Sequence, residues 1–332
     1  MQQKVMKSLI LLALLVMIMV VTVGCSLAAS SWKPTGAVEI VVPYAAGGSS
    51  DLLGRAVEKI WPKYCDQPVR VTAMPGGGGV TGSMYVANAK PDGKTLVLAY
   101  GSGCDMSMPY LQQMDYDPFK YLDPIVRLSV HNVVIAALPD SGFTSLADVI
   151  QWSKDSGKPI TVSSSTANGT VDLVNQALKY YTGMNMNIVP HAGTAESIAD
   201  ILSGAYVIAG AHPSDVLPFS QAGQVKLLGV AADVRDSALP DVPTLIEQGI
   251  NFWAYGSIKG IAVPKNTPDE IKAYYEKLFA DIASDSEFIK IMNNMGQPVM
   301  YQNIADFTKY FTEANATYKK LIEDLGLAYY KK

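Results

Sequence analysis

The sequence is poor in the residues that carry most covalent and metal chemistry. Its 332 residues include three cysteines and three histidines. His131, His191 and His212 are dispersed, none with a second ligand at metal-type spacing, so neither a metal nor another cofactor is expected. No Cys-x-x-Cys, His-Glu-x-x-His or EF-hand spacing occurs, and no lysine completes a phosphate-binding loop after the glycine run at 74–82. Ser102 stands between Gly101 and Gly103 without the Gly-x-Ser-x-Gly elbow of serine hydrolases. Charged residues make up 17% of the chain, with no basic stripe to neutralise phosphates, which argues against a nucleic-acid partner. Beyond the N-terminus no apolar run approaches membrane-spanning length. The inventory offers places to hold a ligand and little to transform one.

What is present begins with an address. Lys4 and Lys7 precede an apolar run over 9–23, so residues 1–24 read as an export signal. The stretch Thr22, Val23, Gly24, Cys25, Ser26 resembles a bacterial lipoprotein box, which would make Cys25 a lipid-modified first residue, with 25–36 as a lipidated end and tether. Loss of residues 1–24 takes the formal net charge from −4 to −6. The remaining pair, Cys65 and Cys104, is compatible with a disulfide or with two separately buried thiols.

With 49% hydrophobic residues the chain can form two domains around large cores. From residue 38 it alternates: strand 38–42, helix 52–63, strand 69–72, helix 80–89, strand 95–99. That order argues for a doubly wound α/β sheet. Leu53, Ala56, Val57 and Ile60 form the core face of the first helix. Three strands end in small-residue loops on one sheet edge: VVPYAAGGSSD at 41–51, MPGGGGVTG at 74–82 and YGSGC at 100–104. That edge is where open α/β sheets bind ligands. Gly47 and Gly48 permit close backbone approach, and Ser49, Ser50 and Asp51 are cap residues at a helix start suited to an anion. Asp51 could instead fill that position itself by capping the helix.

An apolar strand over 130–138 leads to Pro139, where a domain crossing is expected, so residues 37–138 form the first part of one lobe and 139–252 the other. The second series reads helix 145–154, strand 160–164, helix 170–181, strand 187–191, helix 194–202, strand 206–211, helix 215–221 and strand 225–232. Its loops SSSTANGT, HAGT and HPSD could bind across a cleft or cap their helices. A strand over 253–263 returns to the first lobe, and residues 253–332 end in two helices. The earlier opens with a Thr267–Glu270 capping box and Pro268 at its first position. The last carries Ile304, Phe307, Phe311, Ala314, Tyr318, Leu321 and Leu325 at core spacing.

VVPYAAGGSSD, MPGGGGVTGSMYVANAKPDGKTLVLAYGS, the VPHAGT turn, and VAADVRDSALPDVPTLIEQG before AVPKNTPDEIK together resemble the substrate-binding proteins of tripartite tricarboxylate transporters, the Bug or TctC-like family. The likeness runs in order over almost all of the mature chain. It implies a type II periplasmic-binding-protein fold, a monomer whose two lobes close on a small organic carboxylate, with membrane permease subunits as partners. By position it implies ligand contacts from Tyr44, Ala45, Ala46, Gly47, Gly48, Ser49, Ser50 and Asp51, from Gly78 and Gly79, and from Ser102. In the other lobe it implies Ser164, Ser165, Gly169, Thr170, His191, Gly193 and Thr194, with Asp215 near the rim. Ala46 stands where the family has Pro or Ser, His191 where it has an aromatic, and His212 to Asp215 where it has a Phe-Asp-Asn type sequence. His191 and Asp215 are therefore expected to favour a ligand with an extra donor or amino group. Two other readings remain: an exported hydrolase using Ser102 with a histidine, and a ligand-sensing subunit.

Overall fold

The computed structural model describes residues 32–165, 167–191, 194–251 and 256–331, without the side chains of Thr194 and Ala195. The expected export signal, Cys25, Gly193 and the start of the return strand at 253 lie outside these residues. Eleven named strands build two sheets within one unit, Pro34–Lys332.

The first sheet starts with β1 (Val38–Val42), followed by helix α1 (Ser49–Ile60), β2 (Val69–Ala73), α2 (Val80–Ala87) and β3 (Thr95–Tyr100). β1 pairs in parallel with β2 and β3, with helical crossovers between the strands. Leu53, Ala56, Val57 and Ile60 are all buried, as their spacing predicts. α1 begins earlier than expected, at Ser49 with Gly48 as N-cap, and ends in a 3-10 turn, Trp61–Lys63. Short helices Met108–Leu111 and Pro118–Tyr121 then lead into β4 (Leu122–His131).

β5 (Val133–Ala137) belongs to the second sheet, so the change of sheet falls at Asn132, ahead of Pro139, and the run over 130–138 is two strands. Helix α3 (Leu146–Ser156), β6 (Ile160–Ser164), α4 (Thr170–Thr182), β7 (Met186–Pro190), α5 (Thr194–Leu202), β8 (Ile208–Ala211), α6 (Pro213–Gln221) and β9 (Lys226–Ala231) complete this half. The sheet order is β7-β6-β8-β5-β9, with β5 antiparallel to both neighbours.

The chain returns in β10 (Ser257–Pro264), which lies between β3 and β4 and antiparallel to both. Gly256 marks the return crossing: a Cβ there would sit 2.5 Å from the His131 carbonyl oxygen. Three helices follow rather than two: α7 (Asp269–Ser284), α8 (Ser286–Asn294) and, after the edge strand β11 (Val299–Gln302), α9 (Ile304–Asp324). The expected capping box is absent. Pro268 is the N-cap of α7, and the Thr267 hydroxyl donates to the Pro264 carbonyl at 2.7 Å. α9 buries Phe307, Phe311, Ala314, Tyr318 and Leu321, and its end reaches the second half, where Tyr181 Oη donates to Asp324 at 3.1 Å. Cys65 and Cys104 are free and buried. One follows α1 and the other follows β3, which a crossover helix places at opposite edges of the sheet.

Candidate functional site

The loop after β1 owes its form to Gly48 and Asp51. Gly48 caps α1 with extended backbone and no side-chain bond, so the first-turn N–H groups of Ser49, Ser50 and Asp51 have no cap acceptor. Gly47, at φ +80°, turns its N–H back onto the Asp51 carboxylate at 2.9 Å, and Arg55 lies 3.3 Å from the same side chain. Asp51 thus closes the loop from within the first turn and does not cap the helix, so the alternative in which its side chain fills the anion position is not realised. The device recurs after β3, where Gly101 N–H donates to Asp105 at 2.7 Å, and after β6, where Asn168 N–H donates to Asp172 at 2.8 Å. α4 repeats α1 closely: Gly169 is its N-cap, again extended and without a side-chain bond. Each half of the molecule therefore offers a glycine-capped helix start with unfilled N–H groups, which carry partial positive charge.

Behind the first loop stands the glycine run. Gly76, Gly77, Gly78 and Gly79 all have positive φ, and a Cβ on Gly79 would lie 3.0 Å from Cys104 Sγ and 3.2 Å from the Tyr44 ring. Tyr44 Oη donates to Cys104 Sγ at 3.5 Å, so this layer supports the loop from beneath.

A cleft of about 750 Å³ opens beside Gly47, Gly48 and Ser49. Its other walls are His131 at the sheet crossing, the head of α6 with His212, Ser214 and Asp215, and the segment Asn293 to Gln297. His131 and His212 stack at 4.1 Å with rings 11° apart. His131 Nε2 is 2.9 Å from Ser214 Oγ, and His212 Nδ1 donates to the Asn132 carbonyl at 2.8 Å. Burial holds His131 well below the usual imidazole range, with His212 and Lys259 pushing the same way. Burial also lowers His212, against a raising influence from Asp215, so both rings are neutral at pH 7. Asp215 accepts the His212 backbone N–H at 3.3 Å. Gly296 fits against Ser214, whose Cα would lie 3.0 Å from an added Cβ.

Of the residues expected from sequence, Gly47, Gly48, Ser49 and Asp215 line this cleft, with Ser50 and Asp51 buried directly behind. Ala46 is exposed on the loop. Ser102 is buried and donates its hydroxyl proton to the Ile258 carbonyl at 2.8 Å, so it is not presented to a base as a nucleophile. Ser164 and Ser165 are buried at the end of β6, and among the described residues the Ser164 hydroxyl has no hydrogen-bond partner. Gly169 and Thr170 start α4, and Thr194 starts α5. Among the described residues these second-half loops do not contribute to the cleft lining. His191 is turned to its own half: Nε2 lies 2.7 Å from an Asp200 oxygen and Nδ1 lies 3.9 Å from Glu196.

Sequence reasoning reached His212 and Ser214 only as part of the HPSD loop, and missed His131, Gln297 and above all Lys259. This lysine is 3% exposed, and Nζ donates to Ser50 Oγ at 2.9 Å and Ser257 Oγ at 3.1 Å. Its signal was a charged residue inside the otherwise apolar strand SIKGIAVP.

Two α/β halves joined by crossing strands, with glycine-capped helix starts and a cleft between them, define a two-lobed solute-binding protein. Residues 53–327 match the family described as tripartite tricarboxylate transporter family receptor, and the chain belongs to that family, TctC or Bug. Its members are periplasmic solute receptors rather than enzymes, so the protein is an exported one. A UPF0065 protein of Cupriavidus necator is 28% identical over 295 residues, covering 89% of each chain. A TctC solute-binding protein from Polaromonas, solved without ligand, superposes with a TM-score of 0.78 at 27% identity, over 88% of this chain and 99% of that one. A Rhodopseudomonas palustris protein solved with adipate superposes with a TM-score of 0.73 at 23% identity, over 89% of this chain and 99% of that one.

Proposed function

We propose that the protein captures a small carboxylate-bearing organic anion between its lobes and delivers it, as a monomer, to the membrane permease subunits of a tripartite tricarboxylate transporter. The observation that carries this reading is the uncapped start of α1 in the wall of the interlobe cleft. The carboxylate sits on the N–H groups of Ser49 and Ser50. On closure the matching start of α4, at Gly169 and Thr170, approaches from the second lobe, with Ser164, Ser165 and Thr194 at the neighbouring strand ends. Contacts complete only in the closed state shift an open–closed equilibrium towards closure. Hydrogen bonds to an ionised group contribute roughly 1.5–3 kcal/mol each. Three or four of them support an affinity of about micromolar after ordering costs. The adipate complex of the R. palustris protein supports the ligand class. Lipid chains on Cys25 keep the receptor at the membrane, and more than one chain is needed for a lasting anchor.

The test is native mass spectrometry of the freshly purified mature protein, then calorimetric titration with mono-, di- and tricarboxylates, aromatic acids and acidic amino acids. A copurifying acid that rebinds unchanged at one site is the expected result. Failure of every acid to bind, or consumption of one, would sink the proposal.

A further inference from the structure

The strand register sets Ser257 opposite His131 and Lys259 opposite Ser129. Directly opposed residues share a face, so these four side chains lie on the same side of the first sheet. Lys259 is anchored there beneath Ser50, in the first turn of α1. Its two hydroxyl partners carry no charge, and among the described residues it forms no ion pair. Among the described residues the attractive charge acting on it is Asp215 of the other lobe, with which it forms no ion pair. A buried cation without a counter-ion is costly, and proteins usually pair it. Two further buried polar atoms of side chains in the cleft wall also lack partners, His131 Nδ1 and Gln297 Oε1. The amide of Gln297 is oriented by its donation to the Ser49 carbonyl at 3.3 Å, which leaves the oxygen as the unmatched atom. This wall has more polarity than its own residues satisfy, and the buried ammonium of Lys259 stands directly behind it, under Ser50.

We propose that Lys259 is the fixed counter-charge for the bound anion. Its ammonium, held under Ser50, faces a carboxylate seated on the first turn of α1 and restricts the cleft to anionic ligands. This assignment rests on the carboxylate reading of the cleft. The other ionisable groups around it do not supply the missing negative charge. His131 and His212 are neutral, Asp215 is bonded to the head of α6, and Asp51 is tied to Gly47 and Arg55. Burial brings Lys259 down to about 8 in the empty protein. A carboxylate beside it raises that value, so near pH 8 binding takes up on the order of half a proton per anion, and near pH 6.5 almost none.

The experiment is calorimetric titration of the mature protein with malate, adipate, citrate, benzoate and glutamate, and with the neutral adipamide. It is run at pH 6.5 and pH 8 in buffers of different ionisation enthalpy, for the unaltered protein and for Lys259→Met. The expected result is binding of at least one acid but not of adipamide, proton uptake at pH 8 alone, and loss of that uptake in Lys259→Met with about tenfold to hundredfold weaker binding. If an acid binds the unaltered protein without proton uptake at pH 8, or binds Lys259→Met equally well, the role of Lys259 is wrong and the carboxylate reading survives. If none of the five acids binds the unaltered protein, the carboxylate reading fails and takes this one with it. Should Lys259→Met not fold, proton uptake by the unaltered protein still decides.

Discussion

Asp51, Asp105 and Asp172 each accept a backbone N–H from four residues upstream, and so fix three loops at the ligand edge without help from a ligand. Asp105 bears the highest electrostatic cost of the arrangement. Burial raises it from 3.8 to about 6, against the lowering effect of hydrogen bonds from Tyr116 and Gly101. Because the folded value lies above the unfolded one, the native state holds an extra proton between those pH values. The associated stability is fully present below about pH 4 and is lost as pH rises through 6, of order 3 kcal/mol. Asp105→Asn should flatten this dependence while forfeiting one accepted hydrogen bond. Urea midpoints at pH 4.5 and pH 7 for both proteins measure it, and an unchanged slope in the variant would refute it. That Asp51 engages the helix start was legible in sequence because the contact is local, although it closes the loop onto Gly47 rather than capping the helix. Lys259 was not, because only the pairing of β10 with β4 and the seating of α1 determine that its head is buried. His191 escaped for a related reason: Asp200 reaches it from a helix turn whose orientation the sequence does not specify.

The crossing between lobes is packed without spare room at Gly256. Gly256 lies against the backbone of His131 and Asn132, so Gly256→Ala must push two crossing segments apart. A loss of about 1–3 kcal/mol is expected, together with a changed affinity for any acid the protein binds; thermal melts and calorimetry report the two effects. On α9, Phe307→Ala should cost about 3–5 kcal/mol, because the ring is fully buried against Tyr100 and Phe311. The exposed Lys309→Ala on the same helix should change stability by no more than about 0.5 kcal/mol, which a paired denaturation series checks. Elements with strong periodicity, such as α1 and α9, were readable because their burial repeats every turn. The short edge strand β11 and helix α8 were not, since each depends on a partner distant in sequence. The Thr267 capping box failed because the helix starts one residue later than expected, with Pro268 as N-cap, which leaves Thr267 outside it and Glu270 at its second position.

At the scale of the molecule, the alternation of strands and helices disclosed two α/β lobes, and the family likeness agreed. The order of strands within each sheet stayed hidden, because β5 and β10 reverse direction beside parallel neighbours and no local pattern encodes that reversal. If the lobes close on an anion, small-angle scattering should show a smaller radius of gyration on saturation with a bound acid. At a hundredfold excess over Kd that acid should also raise unfolding free energy by about 2.7 kcal/mol, measurable in urea. An unchanged scattering curve with a stabilised protein would mean that the lobes are already set at their bound angle.

Cys65 and Cys104 both belong to the first lobe, and residues 139–252 contain no cysteine. A thiol reagent added to the folded protein can therefore reach Cys65 and Cys104 only when the first lobe opens locally or unfolds. The chain carries its own chemical clock for one half of itself, and the spread of labelling rates between the two thiols would map how that half breathes.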